Sequence, residues 1–209
     1  MDPALLRFYL VLDPDLCGGA AGMVGTALAA AREGFTMVQL RAPNWKKRAL
    51  AECGRALIAA LNPLRVPLIV DDHLDVALAI GAQGVHVGQK DLSPADCRAI
   101  MPPGMILGLS LSNLGEARDP CVRLADYAGI GPVWPTATKK DAAPVLGLDG
   151  LARVAAAAPC PCVAIGGVSA ERAPEALAAG ADGVAVVSAV CGRPDPAAAA
   201  RRLIENCPK

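Results

Sequence analysis

The chain has 209 residues, 54% of them hydrophobic and 19% charged, a balance that excludes a disordered polymer and supplies one sizeable core. Twenty Lys and Arg residues offset twenty Asp and Glu residues. No broad field therefore exists for nucleic acid or an anionic membrane, and any anion must be held locally.

Short runs rich in Val, Ile and Leu recur, each ending on a polar tip before an Ala- and Leu-rich stretch. RFYLVLD at 7–13 predicts a first strand and FTMVQLR at 35–41 a second, with Gly34 placed to cap a helix end between them. KKRALAECGRALIAAL (46–61) predicts a helix leading to a third strand, VPLIVDD (66–72). DHLDVALAIGA (72–82) is helical and capped by Gly81; GVHVGQ (84–89) and MILGLSLS (105–112) are the next strands. YAGIGPVW (127–134) runs into GPVWPTATKKDAAP (131–144), a loop with neither a helical nor an alternating period. GLDGLARVAAAA (147–158) precedes the strand PCVAIGGV (161–168). ERAPEALAAG (171–180), closed by Gly180, precedes GVAVVSA (183–189), and DPAAAARRLIEN (195–206) is the last predicted helix.

Eight strands alternating with helical stretches, with no linker between them, predict a single (β/α)8 TIM barrel spanning 1–209. An open doubly wound sheet fits less well, because no Gly-x-Gly-x-x-Gly follows the first strand and CGGAAGMVG comes too late with the wrong spacing. The eight cysteines are scattered, and Cys160-Pro-Cys162 is not a redox spacing, so free buried thiols are expected. The N-terminal residues lack a basic region followed by an apolar stretch and cleavage site, and prolines interrupt ARVAAAAPCPCVAIGGV. A cytoplasmic protein without a membrane or nucleic-acid partner is expected, and a homo-oligomer is permitted.

In a barrel, chemistry belongs where strands end. Those tips read Gln39 and Arg41, Asp71 and Asp72, Gln89 and Asp91, Ser110, the Thr136–Lys139 loop, Gly166 with Gly167, and Ser188. Asp72 and Asp91 offer hard oxygen ligands for Mg²⁺, which keeps waters and shares substrate phosphates; alternatively, Asp72 caps the next helix and Asp91 the turn before Ser93-Pro94. Arg41 presents a planar fork for phosphate and Lys139 a mobile charge, each charged hydrogen bond contributing about 1.5–3 kcal/mol. Thr136 and Thr138 add hydroxyls beside Lys139, while Lys140 reads as a solvated loop lysine. AIGGV and AVVSA end the last two strands, where backbone N–H groups make a phosphate cup or, alternatively, glycines serve tight packing. His86 lies inside an apolar strand as a satisfied core imidazole, and His73 begins a helix. No Ser-His-Asp or Cys-His arrangement emerges, so no covalent nucleophile is expected.

The ordered strings VQLR, DDHLDVALAIGAQGVHVGQKDL, LGLSLSN, DYAGIGPVWPTATKKDAAPVLGLDGL, AIGGV and GADGVAVVSA resemble the thiamine-phosphate synthase family over about residues 8–190. That family joins a pyrimidine methyl diphosphate to a thiazole ethyl phosphate and releases pyrophosphate. The resemblance implies that Gln39, Arg41, Asp71, Ser110 and Lys139 meet the pyrimidine diphosphate, with Arg41, Ser110 and Lys139 in the catalytic role. It implies Mg²⁺ on Asp72 and Asp91, and a thiazole phosphate on Thr136, Thr138, Gly167, Val187 and Ser188.

Two positions depart from the family pattern. QLRAP puts Pro43 where the string Gln-x-Arg-x-Lys has its lysine, and Asp71-Asp72 stands for an Asn-Asp pair. A carboxylate at about 4 Å from a diphosphate oxygen costs up to roughly 4 kcal/mol at an effective dielectric of 20. Asp71 must therefore turn away, take a proton or help hold a cation, and Lys46 or Lys47 is the candidate replacement charge. Rival activities are a thiazole tautomerase-like isomerase and a precursor-binding paralogue without catalysis. The isomerase resemblance calls for a histidine soon after the fifth-strand serine, where this chain reads Ser110-Leu111-Ser112-Asn113.

Overall fold

Eight parallel strands close into a barrel in sequence order: β1 Phe8–Leu12, β2 Met37–Leu40, β3 Leu68–Asp71, β4 Gly84–Val87, β5 Ile106–Leu111, β6 Tyr127–Ile130, β7 Cys162–Ala164 and β8 Gly183–Val186. β1 pairs with both β2 and β8, so no sheet edge remains. This computed structural model describes residues 1–138 and 143–207. Each strand run read from the sequence forms a strand, shortened at its ends.

Side chains alternate along every strand. Leu10, Leu12, Val38, Leu40, Val70, Val85, Leu107 and Leu109 face outward and join one core layer beneath the helices. Tyr9, Val11, Met37, Ile69, Tyr127, Val163 and Ala185 face inward and fill the barrel. Fully burying one such large apolar side chain contributes about 1.5–3 kcal/mol, so a one-residue register slip, which exchanges both faces at once, is strongly disfavoured.

The helices are α1 Pro14–Cys17, α2 Ala20–Glu33, α3 Lys47–Leu61, α4 Leu74–Ile80, α5 Pro94–Ile100, α6 Leu114–Ala117, α7 Gly147–Ala157, α8 Ala173–Ala178 and α9 Pro196–Glu205. Their ends follow local chemistry. Asp13, Ser93, Asn113 and Asp195 cap α1, α5, α6 and α9 through side-chain oxygens. Gly34 and Gly81 adopt the left-handed cap conformation after α2 and α4; Gly180 lies one residue beyond the cap of α8, again at positive φ. Small buried residues (Ala27 and Ala30 on α2, Ala200 on α9) bring these two helices together, and Arg201 clasps Glu33 through two 2.9 Å hydrogen bonds. The first and last βα units are thereby joined. No helix among the described residues is long and apolar enough to cross a membrane.

Candidate active site

All eight strands run parallel in one closed barrel, so every βα loop emerges on one face. Adjacent loops are tied there by specific contacts. Arg41, just past β2, pairs with Asp71 at the end of β3 (Nε to Oδ2, 3.3 Å), both side chains being mostly buried. The Asp72 N–H donates to the His86 carbonyl of β4 at 2.8 Å, with Asp72 itself at φ 58. Two residues beyond His86, the Gly88 N–H donates to Asp91 Oδ2 at 2.8 Å, while the Asp91 N–H returns to the Gly88 carbonyl at 3.3 Å. Asp72 is thus anchored on β4 at His86 and Asp91 on Gly88, the residue just past that strand. Gln89 Nε2 then reaches the Ser110 carbonyl of β5 at 2.7 Å.

The two metal candidates separate from their alternatives in different ways. Asp72 is not the cap of α4; His73 holds that position without a side-chain cap bond. Asp91 does tighten the Gly88–Asp91 turn with one carboxylate oxygen, whereas Ser93 caps α5. No group of three or more His, Cys, Asp or Glu residues arranged for a metal occurs among the described residues. Two hard carboxylates from neighbouring strand ends fit Mg²⁺ completed by water and phosphate oxygens, rather than an all-protein cage.

Asp71 finds its cation within the protein, in the Arg41 guanidinium. Of the two candidate replacement lysines, Lys47 is engaged by Asp75 at 2.6 Å, and the hydrogen bond from that lysine lowers the Asp75 pKa against the opposing effect of burial. Lys46 stands at the start of α3 and is exposed. Gln39 is not a strand tip: it lies within β2, is 4% exposed, and donates from Nε2 to Tyr9 Oη at 2.7 Å. Ser110, inward-facing on β5, is bonded through Oγ to His86 Nε2 at 2.9 Å. His86 is therefore satisfied, as expected for a core imidazole, yet its partner is a candidate site residue.

The loop after β6 folds beside β7. Val133 and Trp134 donate to Ile165 and Gly166 at 2.9 and 3.0 Å, and Thr136 Oγ1 accepts from the Thr138 N–H at 3.3 Å. Lys139, with Lys140, lies outside the described residues. Gly167 has φ 68, and a Cβ there would lie 2.7 Å from both the Trp134 Cβ and the Pro135 carbonyl oxygen. Tight packing is thus met at this glycine. Among the described residues no acceptor is bonded to the N–H of Gly167 or Ser188.

Two arginines that sequence reasoning missed complete this end. Arg172 Nη1 donates to the Gly167 carbonyl and Arg193 Nε to the Ser188 carbonyl, both at 2.9 Å and both from five residues downstream. Arg172 also stacks over Trp134 at 5.4 Å. In a trans peptide C=O and N–H point oppositely, so pinning these carbonyls directs the following N–H groups the other way. The repeated five-residue spacing was present in the sequence, but arginines early in a helical unit ordinarily read as solvated. Val187 begins the turn whose carbonyl accepts from Val190 and Cys191.

A model of the family described as thiamine monophosphate synthase matches residues 8–190. The chain belongs to that family. It is 53% identical to the thiamine-phosphate synthase of Laribacter hongkongensis, over 93% of this chain and 92% of the relative. It is 47% identical to that of Azorhizobium caulinodans, over 96% and 94%. The solved thiamine phosphate pyrophosphorylase of Pyrococcus furiosus superposes with a TM-score of 0.87 at 34% identity, covering 98% of this chain and 96% of that one. A 3-hexulose-6-phosphate synthase structure aligns at TM-score 0.74 with 20% identity, a likeness of fold alone. Membership makes this an enzyme of the family's transferase type, and the Pro43 and Asp71 departures are changes within it.

Proposed function

We propose that this barrel, residues 1–209 acting as one catalytic domain, is a thiamine-phosphate synthase. It joins 4-amino-2-methyl-5-(diphosphomethyl)pyrimidine to 4-methyl-5-(2-phosphoethyl)thiazole, giving thiamine phosphate and pyrophosphate. The observation that carries this reading is the tied row of strand ends: Arg41 on Asp71, Asp72 on His86 of β4, Asp91 on Gly88 just past it, and Ser110 one strand further.

Arg41 grips diphosphate oxygens with the guanidinium nitrogens that Asp71 does not occupy. Ser110 donates its hydroxyl hydrogen to the same substrate, and Lys139 adds a positive charge from the loop. Asp72 and Asp91 would hold Mg²⁺, which would supply positive charge against the substrate diphosphate. As Arg41 and Lys139 offset charge on the diphosphate, the carbon–oxygen bond breaks, pyrophosphate leaves, the aminopyrimidine stabilises the resulting cation, and the thiazole nitrogen attacks without a general base. Thr136, Thr138, Gly167, Val187 and Ser188 hold the thiazole phosphate through hydroxyls and backbone N–H groups. Catalysis rests on positioning and electrostatics, consistent with a site offering no activated nucleophile.

The residues after β5 favour synthesis over isomerisation. Ser112 donates to the Glu116 carboxylate and Asn113 caps α6, and the segment carries no histidine. The eight free cysteines support a reducing, cytoplasmic location. The test supplies both substrates with Mg²⁺ and measures pyrophosphate and thiamine phosphate together. Equal amounts of each are expected; binding without release, or isomerised thiazole alone, would overturn the proposal in favour of the paralogue or the tautomerase.

A further inference from the structure

The barrel interior holds a chain of polar side chains that ends on Ser110, and the proposed chemistry leaves its other members unused. Gln39 Nε2 meets Tyr9 Oη at 2.7 Å, Tyr9 Oη meets Tyr127 Oη at 2.8 Å, Tyr127 Oη meets His86 Nδ1 at 2.9 Å, and His86 Nε2 meets Ser110 Oγ at 2.9 Å. Five strands contribute one residue each: β2, β1, β6, β4 and β5. Tyr9 and Tyr127 are 1% and 0% exposed, and the surrounding wall is Val11, Met37, Ile69, Val163 and Ala185. Space has been cleared for this chain. A Cβ on Gly108 would collide with the Tyr127 ring and His86 Nδ1, and one on Gly129 would lie 3.2 Å from His86 Cε1.

We propose that Tyr9, Tyr127 and His86 are positioning residues that form a one-way hydrogen-bond relay from Gln39 to Ser110, leaving the Ser110 hydrogen directed to the substrate. This rests on the synthase reading for the identity of that substrate.

The direction follows from donor arithmetic. Gln39 Nε2 can only donate, so Tyr9 accepts from it and passes its own hydrogen to Tyr127. Tyr127 in turn donates to His86 Nδ1. The imidazole then carries its proton on Nε2 and donates to Ser110 Oγ, whose lone pair is engaged and whose hydrogen is available to an anionic oxygen. The opposite sense makes Tyr9 accept twice and leaves its buried hydrogen without an acceptor, an unfavourable state in an apolar wall. Burial pushes both phenols well above their ordinary range, so each hydroxyl keeps the hydrogen the relay requires.

Two histidines occur in the chain, so nitrogen-15 NMR reads His86 directly once His86→Gln has assigned its signals. The expected result is the Nε2–H tautomer in the unmodified protein and a shift toward Nδ1–H in Tyr127→Phe. In kinetics, Tyr127→Phe should lower kcat about tenfold while each KM changes less than about twofold, and should lower it no further in a Ser110→Ala background. His86→Gln, which retains a donor near the Nε2 position, should keep more of kcat than His86→Leu. An Nδ1–H tautomer in the unmodified protein overturns the relay whatever the variants do. So does an equal kcat loss from Tyr127→Phe with and without Ser110. Failure to release pyrophosphate with the Nε2–H tautomer present overturns the synthase reading alone and leaves the relay standing.

Discussion

Asp71→Asn restores the residue of the Asn-Asp pattern and isolates one charge. At 3.3 Å, the Arg41–Asp71 attraction is about 5 kcal/mol at an effective dielectric of 20, similar to the repulsion of about 4 kcal/mol that Asp71 exerts on a diphosphate oxygen about 4 Å away. The pair therefore presents little net charge to the ligand. Asn keeps an oxygen acceptor for the Arg41 Nε–H, so the guanidinium stays in place while the repulsion disappears. Side-chain exposures of 19% and 14% let water and salt screen much of this. We expect a net gain of about 1.4 kcal/mol, or tenfold tighter pyrophosphate binding in the presence of Mg²⁺, shrinking at high ionic strength. Losing the ion pair should cost about 1–2 kcal/mol of stability, lowering Tm by roughly 2–8 °C for a chain of this size. Titration calorimetry and scanning calorimetry read the two effects separately. Unchanged or weaker pyrophosphate affinity in Asp71→Asn would refute the reasoning and make Asp71 an obligatory orienter of Arg41.

Arg172→Leu releases the Gly167 carbonyl. The lost bond is exposed and so contributes only about 1 kcal/mol, raising KM for the thiazole phosphate roughly fivefold with little change in kcat; a kcat loss without a KM change would dismiss the cup. Gly108→Ala inserts a methyl group between the Tyr127 and His86 rings, overpacking that should cost about 3 kcal/mol and roughly 6–12 °C in Tm. A Tm equal to the parent's would show that the interior yields there. The Cys17 thiol is held below the ordinary thiol range by hydrogen bonding with Cys191, against the opposing effect of burial. Cys191 Sγ also lies 3.6 Å from the Val11 carbonyl, to which it donates. Cys17 alkylation by iodoacetamide should therefore rise with pH through a midpoint below the ordinary thiol range, and Cys191→Ala should move the midpoint upward. A midpoint in the ordinary thiol range for both proteins would contradict this arrangement.

The barrel was legible because its signals are local. Apolar runs of strand length, polar tips and capping glycines are short-range features, and all eight runs became strands in the expected order. The helix over Ala20–Glu33 was not singled out; its Ala- and Gly-rich face owes its place to packing beside α9 and only weakly to an amphipathic period. The polar strand tips from Arg41 to Ser188 could also be assigned to one face, because parallel closure brings every strand end there.

Pairing between distant side chains was not legible. Sequence order does not reveal that Asp71 meets Arg41, that Lys47 is claimed by Asp75, or that His86 joins Tyr127 to Ser110 across 41 and 24 residues. These contacts depend on register and on which face each residue presents, and both are set only when the barrel closes. Sequence alone determined the strands and the end at which polar groups gather, because those follow from hydrophobic period and turn chemistry. Tertiary structure decided which charges pair and which polar side chains meet, because hydrogen bonds and ion pairs act over a few ångströms between segments far apart in the chain.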